Sequence, residues 1–254
     1  MVAEPVEAAI VVDGLGVRFR RSRRGRRSIK AMFASSRRKM PSGEFWALRD
    51  VSFRVSQGEA IGVIGRNGQG KSTLLKLVAG VLLPDEGHVE VNGDVAPLIE
   101  ITGGFSGGLT VRENTRLAAG LHGMSKAEIT ARYDEIIDFA ELRDFQDTAY
   151  KHLSNGMKVR LAFAVVSRLP APIVLVDEVL AVGDKAFRAK CYARIDEMLA
   201  EGRTLFFVSH SEKDLERFCT RGLYIRDHRL VMDAPIGEVI ARYNLDIGAP
   251  APGS

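Results

Sequence analysis

Eight consecutive residues, Gly65-Arg66-Asn67-Gly68-Gln69-Gly70-Lys71-Ser72, fit the pattern G-x-x-x-x-G-K-[ST]. The glycines let a backbone curl until successive N–H groups point inward, where they bind phosphate oxygens. In such a loop the lysine, here Lys71, reaches β- and γ-phosphates, and the Ser72 hydroxyl binds Mg2+. Gly65, Asn67, Gly68, Gly70, Lys71, Ser72 and the following Thr73 are therefore the candidate nucleotide contacts. With glycine at roughly 7% of residues, chance gives this pattern in about one such chain per hundred. A second constellation is Asp177-Glu178, directly after the apolar run at 173–176. An acid ending a buried strand beside a phosphate loop can hold the Mg2+ shell, the role expected for Asp177. A second carboxylate at the strand's mouth, Glu178, is placed to polarise an attacking water.

These groups need strands and helices to hold them. Residues 60–64 (AIGVI) are a short apolar run entering the glycine loop, as a buried parallel strand would be. The helical spacing from Lys71 onward adds the positive end of a helix dipole to the phosphate site. Runs 173–176 (IVLV) and 204–208 (TLFFV) predict two more buried strands, the latter ending at Ser209-His210. Segments 10–19 and 46–55 read as the first strands, the second closed by a turn at 56–59. A turn is expected at 84–87. Asn92-Gly93, between 88–91 and 95–101, predicts a β-hairpin because that pair tolerates positive φ.

From 111 to about 145 the pattern is helical, with Ser125 and Glu128 spaced as a capping box. Further helices are expected at 157–169, ended by Pro170 and Pro172, and at 185–199. A last hairpin joins 223–226 to 229–232, and the Pro/Ala/Gly tail from 248 is expected to be disordered. Strands alternating with helices predict an α/β core on a mostly parallel sheet, with a helical insertion near 105–168.

Composition narrows the class. The 254 residues are 46% hydrophobic and 27% charged, which argues against a mostly disordered chain. No run approaches the length of a transmembrane helix. The first residues lack the basic region of a secretory signal. Two cysteines, Cys191 and Cys219, make no metal site or disulfide framework and are expected to be reduced cytosolic thiols.

The net charge of +4 is localised. Between Asp13 and Glu44 there is no acid and there are eleven bases: Arg18, Arg20, Arg21, Arg23, Arg24, Arg26, Arg27, Lys30, Arg37, Arg38 and Lys39. The rest of the chain holds 25 of the 36 bases against 32 acids, so the body is acidic. A nucleic-acid binder more often spreads its bases over a folded face, and no nucleic-acid partner is expected. The segment reads either as a solvated loop or as a surface for anionic lipid headgroups or an acidic partner.

A third motif decides the family. Leu153-Ser154-Asn155-Gly156-Met157 precedes a helix, with Gly156 lying 21 residues before Asp177. By itself it is a helix N-cap by Ser154 with a flexible glycine. Set between the phosphate loop and Asp177-Glu178, it resembles the LSGGQ signature loop of ATP-binding cassette (ABC) ATPases. The resemblance spans roughly 10–232. Phe19 falls where that family places an adenine-stacking aromatic, Ala181-Val182-Gly183-Asp184 at the D-loop, and His210 at the switch histidine. Met157 and Asn155 depart from the usual glutamine and glycine. Glu100 is the best candidate for the family's Q-loop position, a metal contact.

A narrower likeness lies in NGDVAPLIEITGGF, LTVREN, VRLAFAV and VDEVLAVGD, which resemble the polysaccharide-exporting ABC transporters of O-antigen, capsule, teichoic acid and related glycans. Members often carry an insert before the segment that reads EFWALRDVSF here, and residues 20–45 fit one. Some add a carbohydrate-binding domain, which is not expected in this chain.

The resemblance implies an α/β fold: a RecA-like P-loop NTPase core with an antiparallel β-subdomain and a helical insertion, forming one nucleotide-binding domain over 1–247. It implies a head-to-tail homodimer with two ATP molecules and Mg2+ between the chains. Ser154 and Gly156 would face the partner's γ-phosphate, Glu178 would polarise water, and His210 would contact the γ-phosphate. Lys71 would neutralise developing charge, and Ser72, Asp177 and Glu100 would attend the metal. A separate polytopic membrane permease is implied, engaged through 105–145 and the Glu100 loop. That places the chain peripherally on the cytoplasmic side of the cell membrane, powering export of a lipid-linked polysaccharide. The alternatives are an ABC ATPase for another cargo or a soluble non-transport ABC ATPase. A GTPase is disfavoured by the lack of N-K-x-D, and a module that merely holds ATP by the presence of Glu178 and His210.

Overall fold

The computed structural model describes residues 7–20, 43–99, 104–177 and 184–248. Two antiparallel strands, β1 (Ala8–Arg20) and β2 (Glu44–Ser56), pair along their length, and β4 (Glu86–Val91) joins the other side of β1. This three-stranded sheet lies against a six-stranded sheet of order β5-β6-β7-β3-β8-β9. The larger sheet comprises β3 (Ala60–Ile64), β5 (Val95–Leu98), β6 (Ile173–Val176), β7 (Thr204–Val208), β8 (Arg221–Arg226) and β9 (Arg229–Pro235). All its pairings are parallel except β8 with β9. The expected mixture of a parallel core and an antiparallel β-subdomain is what is found.

The runs AIGVI, IVLV and TLFFV are buried from end to end because both faces of the parallel sheet are covered. Alternate residues go to two different cores. Ala60, Ile64, Val174, Val176, Leu205 and Phe207 pack with the helices of the insertion and with α5 (Lys185–Ala200). Ile61, Val63, Ile173, Leu175, Phe206 and Val208 pack with the small sheet and with α1 (Lys71–Val78). Helix α1 is thus wedged between the sheets, and its first turn is held where β3 ends.

The insertion holds α2 (Val111–Leu121), α3 (Lys126–Ala140) and α4 (Asn155–Val166). The capping box expected at Ser125 and Glu128 is present, and Thr110 with Glu113 forms another. After β7 come α6 (Glu212–Phe218) and, past β9, α7 (Ile236–Gly248), neither anticipated from the pattern. The final hairpin forms as expected, with Asp227 and His228 both at positive φ in its two-residue turn.

The hairpin expected at Asn92-Gly93 does not form. Strand β4 pairs with β1 and β5 pairs with β6, so the two lie in different sheets. The chain crosses between sheets here, pinned by Asn92, whose N–H donates to Ala9 O (2.8 Å) and whose Nδ2 donates to Ala8 O (2.9 Å). Long-range pairing has overridden a local turn signal. Strand β4 also begins at Glu86, inside the expected turn, and β5 ends at Leu98, short of the expected 101. The basic segment 21–42, Glu100, Glu178, residues 181–183 and the tail beyond 248 lie outside the described residues.

Candidate functional site

The glycine loop leaves β3 and closes onto α1 without a side-chain cap. Gly70 occupies the N-cap position at φ 101°, and its carbonyl accepts from Leu74 N–H (2.8 Å). The first-turn N–H groups of a helix have no partner within it, so an uncapped N-terminus concentrates donors and positive dipole at one point. Two glycines are demanded by contact as well as by φ. A Cβ on Gly65 would stand 2.3 Å from Ile225 O, and one on Gly70 would stand 2.2 Å from Ala47 O. Lys71 is buried, and its Nζ donates to Gly65 O (2.7 Å) and Arg66 O (3.1 Å), so the ammonium is drawn back across the loop.

Beside this loop lies a cleft of about 700 Å³ lined by Phe19, Phe45, Ala47, Asn67, Gly68, Gly70, Lys71, Ser72, Thr73, Asp177 and His210. Five separate stretches of chain meet there, and four of them carry residues singled out in the sequence. The reason is the strand order β6-β7-β3. Parallel neighbours end on the same side, so Asp177 after β6, His210 after β7 and the glycine loop after β3 converge at their carboxyl ends. The Asp177 carboxylate and the Ser72 hydroxyl bring hard oxygen donors to the lining, and Phe19 and Phe45 bring aromatic rings.

Sequence reasoning missed Phe45, Ala47 and His228. The first two sit on β2, beyond the basic segment, with no motif to mark them. His228, in the β8–β9 turn, donates its N–H to Gln69 Oε1 (3.3 Å) and places Nδ1 3.2 Å from Ala47 O. Its carbonyl accepts from Arg49 N–H (2.8 Å). One turn residue thereby ties the glycine loop to β2.

Ser154 and Gly156 do not line that cleft. Ser154 is the N-cap of α4, accepting from Met157 N–H (3.2 Å), and is exposed. The opposite end of α4 is held by three guanidiniums. Arg194 donates to Ser167 O (3.1 Å), Arg132 to Arg168 O (3.1 Å) and Arg203 to Leu169 O (2.8 Å), satisfying the carbonyls there with positive charge. Helix α4 is also bound sideways: Arg160 pairs with Glu141, at the C-cap of α3, and with Asp184, the N-cap of α5. The carboxyls of both partners are held below their ordinary range. For Glu141 the largest cause is the Lys190 hydrogen bond, and for Asp184 it is the backbone N–H of Phe187. The stretch just before Ser154 is stitched to the loop after β5. Tyr150 stacks on Phe105 with centroids 5.1 Å apart, and Tyr150 N–H donates to Leu109 O (2.9 Å). Buried Asn114 fixes that loop by accepting from Ser106 N–H (2.7 Å) and donating to Ser106, Leu109 and Thr110 carbonyls.

A glycine loop at a helix N-terminus, an acid ending the next-but-one strand and a serine-capped helix between them are the parts of a nucleotide-hydrolysing cassette. The ABC transporter family model matches residues 48–181, which contain all three. The chain belongs to the ABC transporter family, as an ATP-binding ATPase subunit.

Curated relatives of this ABC subunit include the O-antigen export system ATP-binding protein RfbB of Klebsiella pneumoniae. It is 47% identical over 187 residues, covering 74% of this chain and 76% of that protein. The teichoic acids export ATP-binding protein TagH of Listeria innocua is 40% identical over 216 residues, 85% of this chain but 64% of its own length. Among solved structures, an ATP-binding subunit of an ABC transporter superposes with a TM-score of 0.74 at 24% identity, covering 93% of this chain and 94% of that one. The dimeric, post-hydrolysis cassette MJ0796 bound to ADP and Pi gives 0.71 at 21% identity, over 89% of this chain and 98% of that one. Both structures share the ABC subunit's fold.

Proposed function

We propose that this ABC subunit hydrolyses ATP to power export of a lipid-linked polysaccharide through a separate polytopic membrane subunit. The observation that carries the catalytic part is the single cleft uniting Phe19, the glycine loop, Ser72, Asp177 and His210. Likeness to the O-antigen and teichoic acid export proteins supports the cargo class.

The residues divide the work along the cleft. The aromatic rings pack the base. The Asn67–Thr73 backbone donates to the phosphates, and Lys71 leaves the Gly65 and Arg66 carbonyls to bind the β- and γ-oxygens. The donor set suits Mg2+, which takes few carboxylates and completes its shell with phosphate oxygens and water rather than a protein cage. Ser72 and Asp177 would hold it, with Glu100 as a further contact, and no group of three or more His, Cys, Asp or Glu fit for a metal exists among the described residues. Mg2+ bound there would offset phosphate charge. Glu178, next to Asp177, accepts the proton of the attacking water, and His210 contacts the γ-phosphate from the end of β7.

Ser154 and Gly156 lie off this cleft while opening a firmly anchored helix, which supports their use on a second chain's nucleotide. Two chains then close head to tail over two ATP molecules and separate after hydrolysis. No helix among the described residues is long and apolar enough to cross a membrane; likeness to the export-system ATP-binding proteins supports a motor working from the cytoplasmic side on a membrane partner. The helical insertion, 105–145, and the Glu100 loop would form the coupling surface. Of the eleven bases before Glu44, Arg18 is within 3.8 Å of Asp85 and Arg20 within 2.8 Å of Glu44. The other nine lie outside the described residues, and the segment's charge supports contact with anionic headgroups rather than nucleic acid. The chain to 247 acts as one nucleotide-binding domain.

The test is Glu178→Gln. Turnover should fall about 10²- to 10⁴-fold, the usual range for a general base, while ATP still brings two chains together in sedimentation. Undiminished hydrolysis would remove Glu178 from its role.

A further inference from the structure

We propose that Phe45 is a second nucleobase-binding residue, forming with Phe19 one aromatic surface against which the base packs. The proposal rests on the cleft being the nucleotide site and deepens that reading.

The two phenylalanines are cross-strand partners in the β1–β2 register, so their side chains leave the same face of the small sheet. Their ring centroids are 6.1 Å apart and the planes are tilted by 36°, a shallow V rather than a closed stack. Both line the cleft, and both are substantially exposed, Phe19 at 38% and Phe45 at 43%. A purine is two fused rings wide and can lie across both.

Phe45 is held in place from two directions. Ala47, two residues on in β2 and also lining the cleft, has its carbonyl against Gly70 and 3.2 Å from Nδ1 of His228. The distance from Phe45 to the phosphate loop is therefore set by contact between β2 and that loop. Next to Phe45 on β2, the Trp46 ring has the Arg18 and Arg49 guanidiniums 5.1 and 5.3 Å from its centre. The Arg20–Glu44 pair (2.8 Å) clips the strand ends together beyond the phenylalanines. An aromatic held on a stiff strand end, at a fixed reach from the phosphate loop, contributes stacking with little ordering cost.

The experiment is calorimetric titration of the full chain, with Mg2+ present, by ATP and separately by inorganic tripolyphosphate. Wild type, Phe45→Ala, Phe45→Tyr, Phe19→Ala and Lys71→Ala are compared. Phe45→Ala should weaken ATP binding about tenfold, within the range for losing one base-stacking ring, and leave tripolyphosphate affinity unchanged. Phe45→Tyr should restore ATP affinity. If Phe45→Ala binds ATP as wild type does while Phe19→Ala and Lys71→Ala are weakened, the role of Phe45 is wrong and the site stands. If Phe45→Ala weakens both ligands equally, the ring merely supports the cleft and the proposal fails. If neither Phe19→Ala nor Lys71→Ala affects ATP binding, the nucleotide-site reading itself is wrong.

Discussion

Replacing Ser154 by Asp separates the two jobs this side chain is asked to do. As the N-cap of α4, Ser154 accepts the Met157 N–H at 3.2 Å. Ser154→Ala removes that acceptor and should cost about 1 kcal/mol, a fall in Tm of roughly 2–4 °C for a chain of this size. Ser154→Asp keeps the acceptor, since Asp caps as well as Ser, and adds charge favourable to the helix dipole, so its Tm should match wild type. Its effect on ATP-driven pairing should be far larger. A carboxylate about 4 Å from a partner's γ-phosphate, at an effective dielectric of about 20, is repelled by about 4 kcal/mol per unit charge. That is roughly a thousandfold weaker association for each of the two sites. The assay is sedimentation with ATP in the Glu178→Gln background, alongside thermal unfolding of the same variants. A Ser154→Asp protein as stable as wild type that also pairs as readily with ATP would refute the placing of this cap on a second chain's phosphate.

Gly70→Ala should sharply lower both Tm and ATP affinity, because its Cβ would meet Ala47 O at 2.2 Å; Gly68→Ala, with nothing within 4 Å, should show only the cost of its left-handed φ, about 1–2 kcal/mol by chemical denaturation. The Glu141 carboxyl is held below 4.5 chiefly by the Lys190 hydrogen bond. Its stabilising effect is therefore full above pH 4.5 and is lost as pH falls through the lower folded value, so Glu141→Gln should flatten the acid limb of a stability–pH curve. Cys191 and Cys219 are buried, and burial pushes both thiols up to about 12, so neither should react with a thiol-specific disulfide reagent at pH 8 until the protein is unfolded.

Much of the candidate site was legible because it is local. A loop of eight residues with its own glycine spacing declares its chemistry wherever it sits, and Ser154 before a helical pattern declares an N-cap. The short apolar runs at 60–64, 173–176 and 204–208 announced strands buried on both faces. The failures share a cause. Asn92-Gly93 has the chemistry of a hairpin turn, but β5 gains more from lying beside β6, some eighty residues away, than from folding back on β4. Helix α6, of seven residues, was too short to show a period. Phe45 and Ala47 carry no motif, and their importance comes from the β1–β2 register and from contact with Gly70.

Which groups are candidates for binding a triphosphate and polarising water was therefore set by the sequence alone, since side-chain chemistry and the backbone freedom of a glycine loop are set within a few residues. Which of them meet was decided by the tertiary structure. The order β6-β7-β3 brings Asp177 and His210 to the glycine loop, and the pairing of β1 with β2 brings Phe45 to Phe19. Strand neighbours are chosen by burial over the whole sheet, and no short stretch of chain encodes that choice.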